Sequence, residues 1–182
     1  TERVQTLRTI ARVQEANLGK QSEAESALLR AISERPDDAE LHSELERLSR
    51  ATSGFARYAD ALSDRAGSTF DPEVARELYV RLGRIAEQEL KDDQRAVSAF
   101  KRAVEQAGDQ PELLDALDRL HTRLGEHEAV AEILERRVSV ESSDERQADY
   151  YFRLAQIQIE QFKEPARGLG SLRMALERVP AH

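Results

Sequence analysis

The chain has 182 residues, 34% of them charged and 40% hydrophobic, with a formal net charge of −8. That acidic balance argues against general nucleic-acid binding, and the lack of any cysteine excludes disulfides and thiolate metal sites while leaving the compartment open. No apolar run approaches the roughly 18 residues of a membrane-spanning helix, so no membrane insertion is expected.

The first predicted helix runs from about Glu2 to Leu18, with Val4, Leu7, Ile10, Ala11 and Val13 on one face by their spacings of three and four. Gly19 ends it. Ser22 and Glu25 have capping-box spacing before a second helix that carries Ala24, Ala27, Leu28, Ala31 and Ile32. Pro36 stops that helix, and Asp37 with Glu40 marks the next N-terminus. The third helix holds Leu41, Leu45 and Leu48 and ends at Gly54; the fourth holds Phe55, Tyr58, Ala59, Ala61 and Leu62. After a turn at Gly67–Asp71, Pro72 opens helix five, which runs to about Leu90, and helix six follows from about Asp93 to Ala107. Helix seven carries Leu113, Leu114, Leu117, Leu120 and Leu124, and Gly125 turns the chain into helix eight with Val130, Ile133, Leu134 and Val138. Ser142–Glu145 starts helix nine with Tyr151, Leu154, Ile157 and Phe162; Pro165 opens helix ten and Pro180 closes it. All five prolines fall at predicted junctions, and period-two alternation is missing, so no strand is expected.

A longer period lies over these helices. Ile10-Ala11-Arg12-Val13, Leu82-Gly83-Arg84-Ile85 and Leu154-Ala155-Gln156-Ile157 stand 72 residues apart without a gap. The register continues through Ala24, Ala27 and Leu28, then Ala96, Ala99 and Phe100, then Gly168, Ser171 and Leu172. Repetition on this scale predicts a helical solenoid, in which one helix pair cannot bury its apolar face alone and stacked pairs can. The unit of 72 residues is two pairs. Short connections make neighbouring helices antiparallel.

The small and apolar positions Leu82-Gly83, Ala86, Ala96, Phe100 and Ala103, and again Leu117, His121, Gly125, Val130 and Leu134, resemble tetratricopeptide repeats. The resemblance implies an all-α, right-handed α-α superhelix of about five antiparallel helix pairs. The expected organisation is a single array over residues 1–182, with pairs at about 1–36, 37–70, 71–108, 109–142 and 143–182. The chain begins and ends in phase with the repeat, so a segment of a longer protein is expected. Two features depart from the family pattern. Glu46 and Asp118 stand where Ala11, Gly83 and Ala155 are small, which predicts wider or rotated contacts, and the turns near Gly19, Lys91 and Lys163 carry one extra residue.

Catalytic motifs are absent: there is no P-loop, GxSxG, HExxH or EF-hand spacing. Gly168-Leu169-Gly170 falls at helix positions and reads as close packing, His121 and His127 as core or turn residues, and His42 as a solvated helix residue. Asp37-Asp38 and Asp92-Asp93 read as helix caps. No enzyme, metal or cofactor is expected. One constellation suggests binding: Arg12, Arg47, Arg84, Arg119 and Gln156 each stand two residues after the central apolar residue of the first helix of a pair. The resemblance implies that this position faces the concave groove, where guanidinium groups can hold carboxylates bidentately. Carboxylates lie near the same row, so the competing reading is a solvated face of ion pairs. Val80, Phe152 and Ile159 form a second, apolar candidate, whose alternative is packing on a neighbouring helix. The Lys/Asn pattern with which some family members clamp a C-terminal carboxylate is absent. The expected function is a non-enzymatic scaffold for a protein or peptide partner. The alternative is a structural spacer or self-assembly module, with self-association through the terminal helices.

Overall fold

The computed structural model describes residues 2–179. They form ten α-helices: α1 Glu2–Ala16, α2 Gln21–Glu34, α3 Ala39–Thr52, α4 Phe55–Ser68, α5 Pro72–Ile85, α6 Asp93–Ala107, α7 Pro111–Leu124, α8 His127–Val140, α9 Asp144–Glu160 and α10 Pro165–Arg178. No strand occurs among the described residues, and the ten helices make the five expected pairs. Pro180, expected to close α10, lies outside the described residues. The chain divides into two compact units, with the break between Gln106 and Ala107.

In the first unit the buried side chains come from every helix: Val4, Leu7 and Ala11; Leu28 and Ile32; Leu41, Leu45 and Leu48; Tyr58 and Leu62; Leu78, Leu82 and Ile85; and Ala99. In the second, Leu114, Leu117 and Leu120 are buried on α7, Val130, Ile133 and Leu134 on α8, and Leu154 on α9. Each fully buried leucine or isoleucine contributes about 1.5–3 kcal/mol.

The 72-residue period is written in the backbone. Gly19, Lys91 and Lys163 have φ of 66°, 56° and 58°, left-handed at all three equivalent turns. At each, the next residue donates to a carbonyl six residues back: Lys20 to Gln14 at 2.8 Å, Asp92 to Ala86 at 2.9 Å and Glu164 to Gln158 at 2.8 Å. The extra residue widens the last helical turn, and in the middle copy it forms a π turn over Ala86–Leu90. Ser53 and Gly125, also 72 residues apart, share φ values of 55° and 71°.

Gly83 is explained by its partner: a β-carbon there would stand 2.8 Å from the Phe100 ring. The small residue admits the ring to the α5 backbone. At the equivalent places Ala11 is matched in sequence with Leu28, and Ala155 with Leu172.

Four expectations need correction. Ser22 and Glu25 do not form a capping box: the N-cap of α2 is Lys20, which makes no side-chain bond. Glu25 instead turns inward, fully buried, to accept from Ser49 Oγ at 3.0 Å, Thr52 Oγ1 at 2.7 Å and the Arg57 guanidinium. The cap of α3 is Asp38, which accepts from the Glu40 and Leu41 amides, while Asp37 pairs with Arg35. His42 is not solvated: it is buried, with Nδ1 2.6 Å from the Tyr58 hydroxyl and Nε2 2.8 Å from the Pro36 carbonyl. The carbonyl can only accept, so Nε2 carries the proton and Nδ1 accepts from Tyr58. Ile10 and Val13 do not join Val4, Leu7 and Ala11 inside; both are exposed.

Candidate partner-binding groove

The first helices of the pairs carry the candidate residues at solvent. Arg12 on α1, Arg47 on α3 and Arg84 on α5 are exposed in the first unit, and Arg119 on α7 and Gln156 on α9 in the second. Arginine and carboxylate side chains alternate along these helices and pair across them.

In the first unit Arg8 on α1 reaches Glu40 at 3.1 Å and Glu44 at 2.5 Å on α3. In the opposite sense, Arg47 on α3 holds Glu15 on α1 bidentately, at 2.5 and 2.7 Å. That hydrogen bond lowers the Glu15 pKa and raises that of Arg47. Arg47 is therefore already engaged. Between α3 and α5, Glu46 takes Arg81 at 2.5 Å, and Arg50 takes Glu89 at 2.6 Å while lying over the Phe55 ring, 5.6 Å from its centroid. In the second unit Asp118 on α7 accepts Arg153 on α9 bidentately, at 2.6 and 2.9 Å.

Glu46–Arg81 and Asp118–Arg153 are the same pair repeated after 72 residues. This gives Glu46 and Asp118, the two departures from the small-residue pattern, a physical role: each carboxylate reaches the arginine of the next first helix. Such half-exposed pairs contribute about 0–1 kcal/mol each, so they set the register of the first helices more than they set stability.

A cavity of about 530 Å³ opens in the first unit, lined by Glu46 and Arg50 of α3, Phe55 of α4, and Arg76, Glu77, Val80, Arg81, Arg84 and Ile85 of α5, with Gln88 and Glu89 beyond. It brings together two of the candidate residues, Val80 and Arg84. Arg50, Arg76 and Arg81 in its wall are paired with Glu89, with Glu73 and Glu77, and with Glu46. Arg84 makes no ion pair among the described residues and is exposed at the rim. The cavity thus offers an apolar floor of Val80, Ile85 and Phe55 beside an uncompensated cation.

In the second unit Gln156 lines a smaller cavity of about 230 Å³ with Thr122, His127, Val130, Arg153, Ile157, Glu160 and Gln161. Phe152 is 42% exposed on α9. The Ile159 side chain lies over Gly168 of α10, where a β-carbon would stand 2.3 Å from it, so packing between helices holds much of this residue. His121 is buried at the α7–α8 turn with Nδ1 2.5 Å from Glu126.

Sequence reasoning missed Arg50, Arg76 and Arg81. The recurrence of a carboxylate and an arginine 35 residues apart, at 46 and 81 and again at 118 and 153, is the signal that could have found the pairing. No group of three or more histidine, aspartate or glutamate side chains among the described residues could hold a metal ion. None of the described helices is long and apolar enough to cross a membrane.

Residues 77–110 match the family model for the tetratricopeptide repeat. No curated protein sequence matches the chain. Among solved structures, a crystal structure of MamA protein is similar with a TM-score of 0.53 and 18% identity, over 97% of this chain and 92% of that one. A second MamA crystal structure gives 0.51 and 18%, over 91% and 92%. The crystal structure of YrrB, described as a TPR protein with an unusual peptide-binding site, gives 0.50 and 13%, over 97% and 86%. At these identities the likeness is one of fold.

Proposed function

Because the chain is a tetratricopeptide-like helical-hairpin repeat protein, we propose that it is a non-enzymatic scaffold that binds a segment of a protein partner across the exposed face of its first helices. The α3–α5 cavity is the centre of that site in the first unit. The observation that carries this reading is Arg84: it is the cation of the cavity whose charge no carboxylate among the described residues offsets, and it stands beside the apolar Val80. A partner segment with a carboxylate next to an apolar side chain fits both. The paired arginines around it hold the cavity in shape, so little ordering is needed on binding. The unusual peptide-binding site of YrrB is in keeping with this reading. In the second unit the candidate surface consists of Arg119 and Gln156, and Phe152 adds an aromatic anchor of the kind that dominates binding energy.

The test is a pull-down from source-cell extract with the wild type, with Arg84→Glu plus Arg119→Glu, and with Val80→Asp, each shown by circular dichroism to be folded. The partner is then identified, and its binding segment is measured by titration against all three proteins. Loss of at least tenfold in affinity in both variants is expected. A partner that binds all three equally would place the site elsewhere.

A further inference from the structure

Equivalent residues of the 72-residue repeat differ sharply in exposure at the two terminal helices. Ile10 and Val13 on α1 are 41% and 44% exposed, whereas Leu82 and Ile85, their counterparts on α5, are each 4% exposed. Leu82 and Ile85 are buried in the core to which α4 and α5 both contribute, and α5 packs on α4. On α10, Leu169 and Leu176 are 55% and 50% exposed, whereas Val97 and Val104 on α6 are 5% and 8% exposed. One repeat earlier still, the counterpart of Leu176 is Ile32, buried on α2, which packs on α3.

The α1 helix therefore keeps the residues with which a first helix seats on the pair before it. The α10 helix keeps the residues with which a second helix receives the pair after it. The exposed α1 face is uncharged along Thr6, Ile10, Val13 and Asn17, which share one side at helical spacing. The Thr6 hydroxyl is returned to the Glu2 carbonyl at 3.0 Å, so it adds no unpaired donor there. The α10 face holds Leu169 and Leu176 with the partly buried Leu172, and Arg173 is the single charge on it.

We propose that these two faces close on each other between copies of the chain, α10 of one copy against α1 of the next. The contact is the second-helix-to-first-helix packing that α4 makes with α5 within the chain. Continuity with that internal interface identifies the occupant: each open face is one half of a contact the chain already makes, and the other half is carried by the opposite terminal helix. The association is heterologous, so every added copy leaves one α1 face and one α10 face open, and species larger than a dimer follow.

The test is light scattering coupled to size exclusion on the 182-residue chain over a concentration series reaching about millimolar, where apolar contacts of this size register. Wild type is expected to rise in mass beyond that of a dimer. Ile10→Lys with Val13→Lys, and separately Leu169→Lys with Leu176→Lys, are expected to remain monomeric with unchanged helical circular dichroism, since these positions are exposed in the folded chain. Mixing the two variants should restore a species of twice the monomer mass and nothing larger, because each retains one intact face. A wild type that stays monomeric throughout would overturn the proposal. So would a single variant that still self-associates, which would indicate a symmetric contact, or a mixture that remains monomeric. Arg84→Glu should leave the association unchanged, which separates this contact from the groove.

Discussion

The Phe100 ring lies against the α5 backbone at Gly83, closer than a β-carbon at that position would allow. Glycine costs helix α5 about 1 kcal/mol against alanine, and the ring fills the space that the missing side chain leaves. Gly83→Ala should therefore destabilise the protein by about 1 kcal/mol despite its better helix propensity, since overpacking costs about 1–3 kcal/mol. Combining it with Phe100→Leu recreates the Ala/Leu matches found at 11 and 28 and at 155 and 172. Urea midpoints of both single variants and the double variant should show the two changes to be strongly coupled. Additive effects would mean that the ring is not confined by residue 83.

The left-handed turns give the opposite expectation. Lys91 and Lys163 hold φ of 56° and 58° where the equivalent residue is Gly19, and Ser53 holds 55° where the equivalent is Gly125. Side chains other than glycine are strained there. Lys91→Gly, Lys163→Gly and Ser53→Gly should each stabilise by about 0.5 kcal/mol, after the greater unfolded-state freedom of glycine is subtracted. Thermal melts of the triple variant provide the check; a lower Tm would contradict the strain argument.

Glu25 joins α2 to the α3–α4 turn. Its carboxylate accepts from Ser49, Thr52 and Arg57, and a β-carbon at Gly54 would stand 1.8 Å from its Oε1. Gly54→Ala must displace a buried, threefold hydrogen-bonded carboxylate, and a loss of about 2 kcal/mol is expected. Glu25→Ala should cost a similar amount, because it strands the Ser49 hydroxyl. In the double variant the losses should be far from additive, as read by chemical denaturation.

His42 makes folding sensitive to mild acid. Burial lowers its pKa, with Arg81 acting in the same direction against the Pro36 carbonyl, Glu46 and Asp38. The unfolded histidine takes up a proton near pH 6.5, and folded His42 does so only at lower pH. Within that window the unfolded state binds more protons, so stability rises with pH. Stability is therefore expected to be flat above about pH 7 and to fall as pH drops from about 6.5 towards the lowered folded value. Urea midpoints from pH 7.5 to 5.0 for wild type and His42→Gln check this. The variant should lose most of the slope, and an identical slope in both would remove His42 as its source.

Much of the fold could be read before the structure because its signals are local. Proline and glycine at junctions, and apolar residues three and four apart, depend on backbone sterics and helix pitch, which need no knowledge of neighbours. Helices α5 and α6 begin where Pro72 and Asp93 predict. The candidate site was less legible. The arginine row could be placed on the exposed side of the first helices from spacing alone, but whether each guanidinium was already neutralised depended on a carboxylate in another helix, as Arg47 with Glu15 shows.

The sequence by itself determined the ten helices, their pairing and the 72-residue register, since these follow from periodicity and breakers within short windows. Tertiary structure alone decided that His42 and Glu25 are buried, that Glu46 and Asp118 reach across to Arg81 and Arg153, and that Ile10 and Val13 stay exposed where their counterparts are buried. Helical spacing gives the direction in which a side chain points, whereas burial and charge pairing depend on which helix lies opposite.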